Sequence, residues 1–402
     1  MAITINAKTS GAGGLETTAD NTGNINIQSG GSTVMSVTSS GVAITGALSQ
    51  NGAVYSTQPT FRNLIINGDM RIAQRGTSAS GLTSTGYQTV DKYLFVIVSQ
   101  GTWTNTQSTD APDGFANSFK VECTTADASP ASSDALNIQT RIEGQNCQHL
   151  KYGTADAETT TLSFWVKSNI TGTYNFTLRK DDDGRRILKQ YTISAANTWE
   201  KKTITIAGDT TGVINNDNGI GLMLVFWLGA GSDYTTGSVP SGWGTPPTTD
   251  YAPSQVNLAA STSNYINITG VQLEVGSTAT DFEVLPVDVE LARCQRYCEV
   301  YSGNDTLLPA VGGWQGTTLA NGTMSYKVIK RAAPTITFNG TTSNYQAVNE
   351  GVAWRAASAI ASFRAYENTC ELQITTSSGG TQGQSARFRL LGDAVIIISA
   401  EL

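Results

Sequence analysis

The stretch from Gly229 to Ser254, GAGSDYTTGSVPSGWGTPPTTDYAPS, gathers Tyr234, Trp243 and Tyr251 with Asp233 and Asp250 beside them. These residue types suit one chemistry. A sugar ring has an apolar face that an aromatic side chain can cover, and hydroxyls around its rim that amides and carboxylates can bond. A long loop without regular structure of its own is also where binding groups concentrate. The five residues therefore form a candidate ligand-binding set, and Trp103, in Gln100-Gly-Thr-Trp-Thr-Asn105, is a weaker candidate of the same kind. Trp243 has a competing role as a cover for a sheet edge or a neighbouring subunit, and the usual burial of Trp favours that role.

Other chemistries find less support. Cleavage of a polysaccharide needs a matched pair of carboxylates. The run Asp181-Asp-Asp-Gly184-Arg-Arg reads instead as a hairpin turn, because Asp and Gly both tolerate positive φ. As a calcium loop it fails: the glycine comes too early, and Thr192 stands where a bidentate Glu belongs. There is no Gly-x-Ser-x-Gly elbow, and the only histidine, His149, lies in a Gln/Asn-rich segment that suits the surface better than a catalytic triad. The five cysteines, Cys123, Cys147, Cys294, Cys298 and Cys370, are odd in number and scattered, so they read as buried free thiols. Cys294 and Cys298 lie four apart on a predicted helix, without the second nearby pair that zinc requires. The expectation is a protein with no catalytic residues, no metal site and no cofactor.

A chain of 402 residues has room for two or three domains, each with its own core. Charged residues are only 14% of it, against an average of about 25%, so Thr, Ser, Asn and Gly must supply the polar surface. The net charge of −7 argues against a nucleic-acid partner, which would need clustered Lys and Arg. The N-terminus lacks the basic flank and apolar core of a signal peptide, and the longest apolar run, Leu222 to Leu228, is too short to span a bilayer. The chain reads as soluble, with no membrane insertion.

The elements that would carry these residues are strands. Residues 1–60 hold only short apolar pairs, at Ile3/Ile5, Ile25/Ile27, Val34/Val37 and Val42/Ile44. They read as a linker or as short strands that need copies of themselves, the second being favoured by the β-branched pairs. From 61 to 286 an all-β domain is predicted from alternation at Leu64/Ile66, Tyr93/Phe95/Ile97, Leu162/Phe164/Val166 and Tyr174/Phe176/Leu178. Leu222 to Leu228, apolar on both faces, belongs in a central strand covered on both sides. A phase shift from Ile266/Ile268 to Val271/Leu273 predicts a β-bulge at Thr269–Gly270. The spacing of Leu291, Cys294, Cys298 and Tyr301 predicts a helix over 287–301, capped by Asp288 and stopped by Gly303. Residues 302–402 return to β patterning as a smaller domain, with Met324/Tyr326/Val328, Ile336/Phe338, Cys370/Leu372/Ile374, Phe388/Leu390 and Val395 to Ile398 marking strands.

Several separated segments resemble a jelly-roll family of bacteriophage tail fibre and other virion proteins, related to carbohydrate-binding modules. Asn63-Leu-Ile-Ile-Asn-Gly-Asp-Met70 is similar to its opening strand, Val90-Asp-Lys-Tyr93 follows, and Leu162-Ser-Phe-Trp-Val-Lys-Ser168 is similar to a core strand. Gly270-Val-Gln-Leu-Glu-Val-Gly276 and Ala279-Thr-Asp-Phe-Glu283 are similar to the last strand and exit, and Lys330-Arg-Ala-Ala-Pro-Thr-Ile-Thr337 to a segment beyond the helix. The resemblance implies a β-sandwich in an exposed virion fibre that adheres to a host-cell glycan. It also implies a homotrimer, joined to other tail or baseplate proteins through residues 1–60. The helix stripe could meet its symmetry mates around an axis or pack on its own jelly roll. The alternatives are a structural or decorating fibre without a receptor role, and a polysaccharide-degrading tailspike.

Overall fold

Alternation in the sequence is realised as paired strands in the computed structural model, which describes residues 61–349 and 353–402 throughout and seven strands between residues 3 and 55. Met1–Arg62 and Asn63–Leu402 are separate units. In the first, five strands form a sheet in the order Leu15–Ala19, Ile3–Ala7, Ile25–Ser29, Ser32–Thr38, Gly41–Ile44. Leu48–Gln50 and Ala53–Tyr55 form a hairpin. The strands expected in this segment pair with one another along the chain. Ser36 donates to Asn26 at 2.6 Å across one such pair.

The second unit begins with a sandwich of two sheets. One has six strands, in the order Glu200–Ile206, Thr160–Ser168, Tyr265–Val275, Ser118–Thr125, Thr102–Ser108, Ser78–Leu82. The other has five: Arg186–Ile193, Gly172–Lys180, Ile220–Ala230, Ala135–Glu143, Leu94–Val98. Between them lies one apolar core that includes Phe95, Trp103, Phe164, Phe176, Phe226 and Leu273. The five-stranded sheet has Ile220–Ala230 at its centre, as its two-faced apolar pattern predicts. In the strand Tyr265–Val275 the register shifts between Thr269 and Gln272 opposite Trp165 and Ser163. Gly270 sits in this bulge at φ +62°, and a Cβ there would lie 2.7 Å from the Phe115 ring.

Two expectations about this region are corrected. Asn63–Met70 is not a strand; it threads irregularly along Tyr265–Val275, with Asn63 Nδ2 donating to Val271 O at 3.1 Å and Leu64 N to Leu273 O at 3.0 Å. The helix covers only Val287–Gln295, with Pro286 rather than Asp288 at its N-cap. Cys298 and Tyr301 then belong to a strand, Cys298–Ser302, paired antiparallel with Val395–Ser399. The stripe packs inside its own chain, with Cys294 and Cys298 fully buried. Leu291, at the start of the stripe, is half-buried.

The C-terminal domain pairs Cys298–Ser302, Val395–Ser399 and Thr335–Asn339 in one sheet. Its other strands run in the order Ser385–Leu390, Ala310–Trp314, Leu319–Ser325, Thr369–Thr376, Arg355–Ala365, Tyr345–Val348, and the last pairs back with the first. That closure makes a small barrel around Trp314, Met324, Leu372, Ile374 and Phe388. The predicted Tyr326/Val328 extension lies outside the strand, which ends at Ser325. Sandwich and barrel are locked by Glu143, which takes a fork from Arg296 at 2.6 and 2.7 Å and a hydrogen bond from Tyr297 at 2.5 Å.

Candidate functional site

The central strand of the five-stranded sheet sets the site. Leu222, Leu224, Phe226 and Leu228 point into the sandwich core, so Met223, Val225 and Trp227 must face outward. The loop from Gly229 to Ser254 folds back over that outward face. Asn175 and Gln190, on neighbouring strands, donate to Pro253 O at 3.1 and 2.8 Å. Within the loop, Ala252 N donates to Tyr234 O at 2.8 Å and Gly237 N to Thr249 O at 2.9 Å. These bonds place two of the predicted aromatics in a pile. Trp227 and Tyr234 have centroids 5.6 Å apart, Tyr234 and Tyr251 stack at 6.3 Å, and the Arg186 guanidinium lies 4.0 Å from the Tyr251 centroid.

The rest of the outward face is more polar. Strand register puts Arg186, Arg179, Met223 and Arg141 directly across four neighbouring strands. At a strand spacing of ~4.8 Å that row is about 14 Å long. The adjacent row is Leu188, Thr177, Val225, Gln139 and Leu94. Arg141 donates to Gln139 at 2.9 Å, and Gln139 to Asn137 at 2.9 Å, so three planar side chains follow one strand. At the far end Arg141 also donates to the Leu402 carbonyl, which accepts from Tyr87 Oη at 3.1 Å. The result is a trough with half-exposed Arg179, Gln139 and Arg141 along its floor above buried Met223 and Val225, the aromatic pile as one wall and the last residues of the barrel domain as the other.

The predicted residues divide between places. Tyr234 and Tyr251 are half-buried in the wall. Asp250 is bound into the loop, accepting from Ser238 N at 2.9 Å, while exposed Asp233 accepts from Ser132 at 3.3 Å. Trp243 is on the sandwich edge, donating to Ala207 O at 2.7 Å and meeting Tyr152 edge-on at 5.6 Å. Gly244 beside it bridges to Arg186, extending the sheet margin. Trp243 thus backs a separate hollow of about 470 Å³ lined by Cys147, Lys151, Tyr152 and Ile214, where Lys151 is already paired with Glu158 at 2.7 Å. Trp103 is corrected as a ligand candidate: it is fully buried against Phe95, with its Nε1 donating to Gln100 O at 2.6 Å, and shows no ring face to solvent.

Sequence reading missed Trp227, Met223 and the three arginines. Trp227 lies in a run that reads as core on both faces, and the arginines come together only through register. The hairpin reading of Asp181–Arg186 matches the turn observed there, with Gly184 at φ +70°. His149 is exposed, and all five cysteines are free and buried. Among the described residues no cluster of His, Cys, Asp or Glu is arranged to hold a metal ion.

No protein-family model matches the chain, and no curated protein matches it. Among solved structures, it is similar to the enzymatically active domain of bacteriophage CBA120 tailspike protein 4, at 14% identity and a TM-score of 0.29, over 54% of this chain and 22% of that one. The matched part thus spans about a fifth of that solved chain. It is also similar to a family 4 carbohydrate-binding module, at 12% identity and a TM-score of 0.28, over 52% of this chain and 98% of that one. The C-terminal family 22 module of Clostridium thermocellum Xyn10B matches at 10% identity and a TM-score of 0.28, over 55% of this chain and 100% of the module.

Proposed function

We propose that this chain is a component of a bacteriophage virion fibre that adheres to a glycan on the host surface. The observation that carries the binding half of this reading is the trough on the five-stranded sheet. It sets planar donors and acceptors from half-exposed Arg141, Gln139 and Arg179 beside an aromatic wall, a mixture that suits a sugar chain. The pile of Trp227, Tyr234, Tyr251 and Arg186 uses its ring faces internally, so it acts as a rigid wall and not as an open stacking platform. The virion half rests on the resemblance of the segments around Leu162–Ser168 and Gly270–Gly276 to phage fibre jelly rolls. In this reading the chain is a homotrimer, attached to other tail or baseplate proteins through its first unit and exposed on the particle.

Binding without cleavage is the chemistry we assign. The carboxylates beside the trough are engaged, Asp181 with Arg179 at 3.1 Å and Asp250 with the loop backbone. The test is adsorption of the purified full chain to host cells, compared with Gln139→Trp, which fills the half-exposed middle of the trough without changing charge. Loss of cell binding with an unchanged melting temperature supports the reading. Unchanged binding by Gln139→Trp would remove the trough from the mechanism, and absence of cell binding by the wild type would leave a purely structural fibre.

A further inference from the structure

Arg186 and Arg179 are directly opposite one another on paired strands, an arrangement in which like charges repel. Arg141 stands in the same row beyond Met223. Three guanidinium groups in one row contrast with a chain whose net charge is −7. Asp181 meets Arg179 at 3.1 Å, Arg186 turns to Gly184 O at 3.3 and 3.4 Å and to the face of Tyr251, and Arg141 donates to Gln139 at 2.9 Å and to Leu402 O. Burial lowers the pKa of Arg186; Tyr251 opposes the shift and Arg179 adds to it. The Nε atoms of both Arg179 and Arg141 are buried with no hydrogen-bond partner among the described residues. Buried donors in that condition are costly until an acceptor arrives.

We infer that the trough takes a polysaccharide carrying an anionic group, a carboxylate or a phosphate, which seats on Arg179 and Arg141 across Met223. This rests on the glycan reading above and narrows it to a chemical class. A guanidinium matches either anion with two parallel hydrogen bonds, and its planar fork is held in place before the ligand comes. Met223, buried on the strand between them, sets the two forks on either side of it. Arg186, fixed against Tyr251, adds to the positive field at the wall.

The full chain can be titrated calorimetrically with polygalacturonate, with its carboxyl-reduced product, with phosphorylated dextran and with plain dextran. The expected result is at least about tenfold tighter binding of one charged polymer than of its neutral counterpart, weakening as salt is added. Polygalacturonate winning identifies a carboxylate, and phosphorylated dextran winning identifies a phosphate. Arg179→Gln should erase the preference while Arg179→Lys keeps part of it, with thermal melts confirming that both variants are folded. Equal binding of charged and neutral polymers overturns the anionic class but leaves a glycan site. Failure of all four polymers overturns the anionic class too, and the separate cell-adsorption measurement then decides whether any glycan is bound.

Discussion

Lys92 shows how much a single buried charge can govern. Its ammonium lies 3.2 Å from the centroid of the Tyr297 ring and 3.8 Å from Glu401, and it makes no hydrogen bond. Burial pushes its pKa down to about 8, although Glu401, Cys294 and Glu143 pull the other way. A lysine whose folded pKa is depressed stabilises the fold fully only above its unfolded value, and this contribution is lost as pH falls through the folded one. Wild type should therefore gain stability relative to Lys92→Met as pH rises from about 8 to 10.5, by on the order of 3 kcal/mol, with a flat difference below pH 8. Asp91, raised to about 6 by burial, acts in a lower window, and its effect cancels in the comparison. Urea titrations of both proteins across this range check the slope. Trp243 gives a second prediction. Because it seals the sandwich edge, Trp243→Ala should cost about 2–3 kcal/mol in urea unfolding, less than the ~3–5 of a fully buried Trp, and leave glycan binding intact.

Elements were legible where a local pattern decided them. Tyr174, Phe176 and Leu178 alternate because one sheet face is core, and the phase shift at Gly270 marks a bulge that a side chain would block. The helix was over-read for a physical reason. Leu291, Cys294, Cys298 and Tyr301 fit helical spacing, but Cys298–Ser302 also alternates, and pairing with Val395–Ser399, almost a hundred residues later, overrides the local period. Tyr234 and Tyr251 could be read from loop composition, whereas the Arg186, Arg179, Arg141 row exists only once four strands are in register. The strand after the helix also carries an ion pair that no local signal announces. Lys330 donates to Glu299 at 2.7 Å and to Gln295 O at 2.6 Å, and neither charged side chain reaches solvent. Lys330→Ala strands a buried carboxylate and should cost about 3–5 kcal/mol in guanidinium unfolding. The double change Glu299→Gln with Lys330→Met should recover most of that loss, since it removes both charges and keeps the volume.

On the scale of the whole second unit, the sandwich and the barrel have separate cores and a polar joint. An apolar joint would be insensitive to pH, but this one depends on the Glu143 carboxylate. Burial pushes the pKa of Glu143 up; the hydrogen bonds from Arg296, Tyr297 and Gln145 outweigh it and hold the carboxyl below its ordinary value. A depressed carboxyl stabilises above its unfolded pKa, and the benefit is lost as pH falls through the folded one. Other ties also cross the joint, among them Arg331 to Asn218 O at 3.1 Å, Arg75 to Glu401 at 3.1 Å and Gln74 to Cys298 O at 2.7 Å, but each is a single hydrogen bond where Glu143 takes a two-bond fork. At neutral pH, barrel amides such as Leu372 and Ile374 should therefore exchange hydrogen through the same opening as sandwich amides such as Leu224 and Phe226. Glu143→Ala should split them into two openings about 2–3 kcal/mol apart, because the Arg296 fork is lost and its charge is left half-buried. Wild type should show the same split only in acid, below the ordinary glutamate range. Uniform exchange in Glu143→Ala would mean that the joint is held by packing and that the fork is incidental. A split already present in the wild type at neutral pH would mean that the barrel is an independent domain, free to change its angle on a trough whose far wall it supplies.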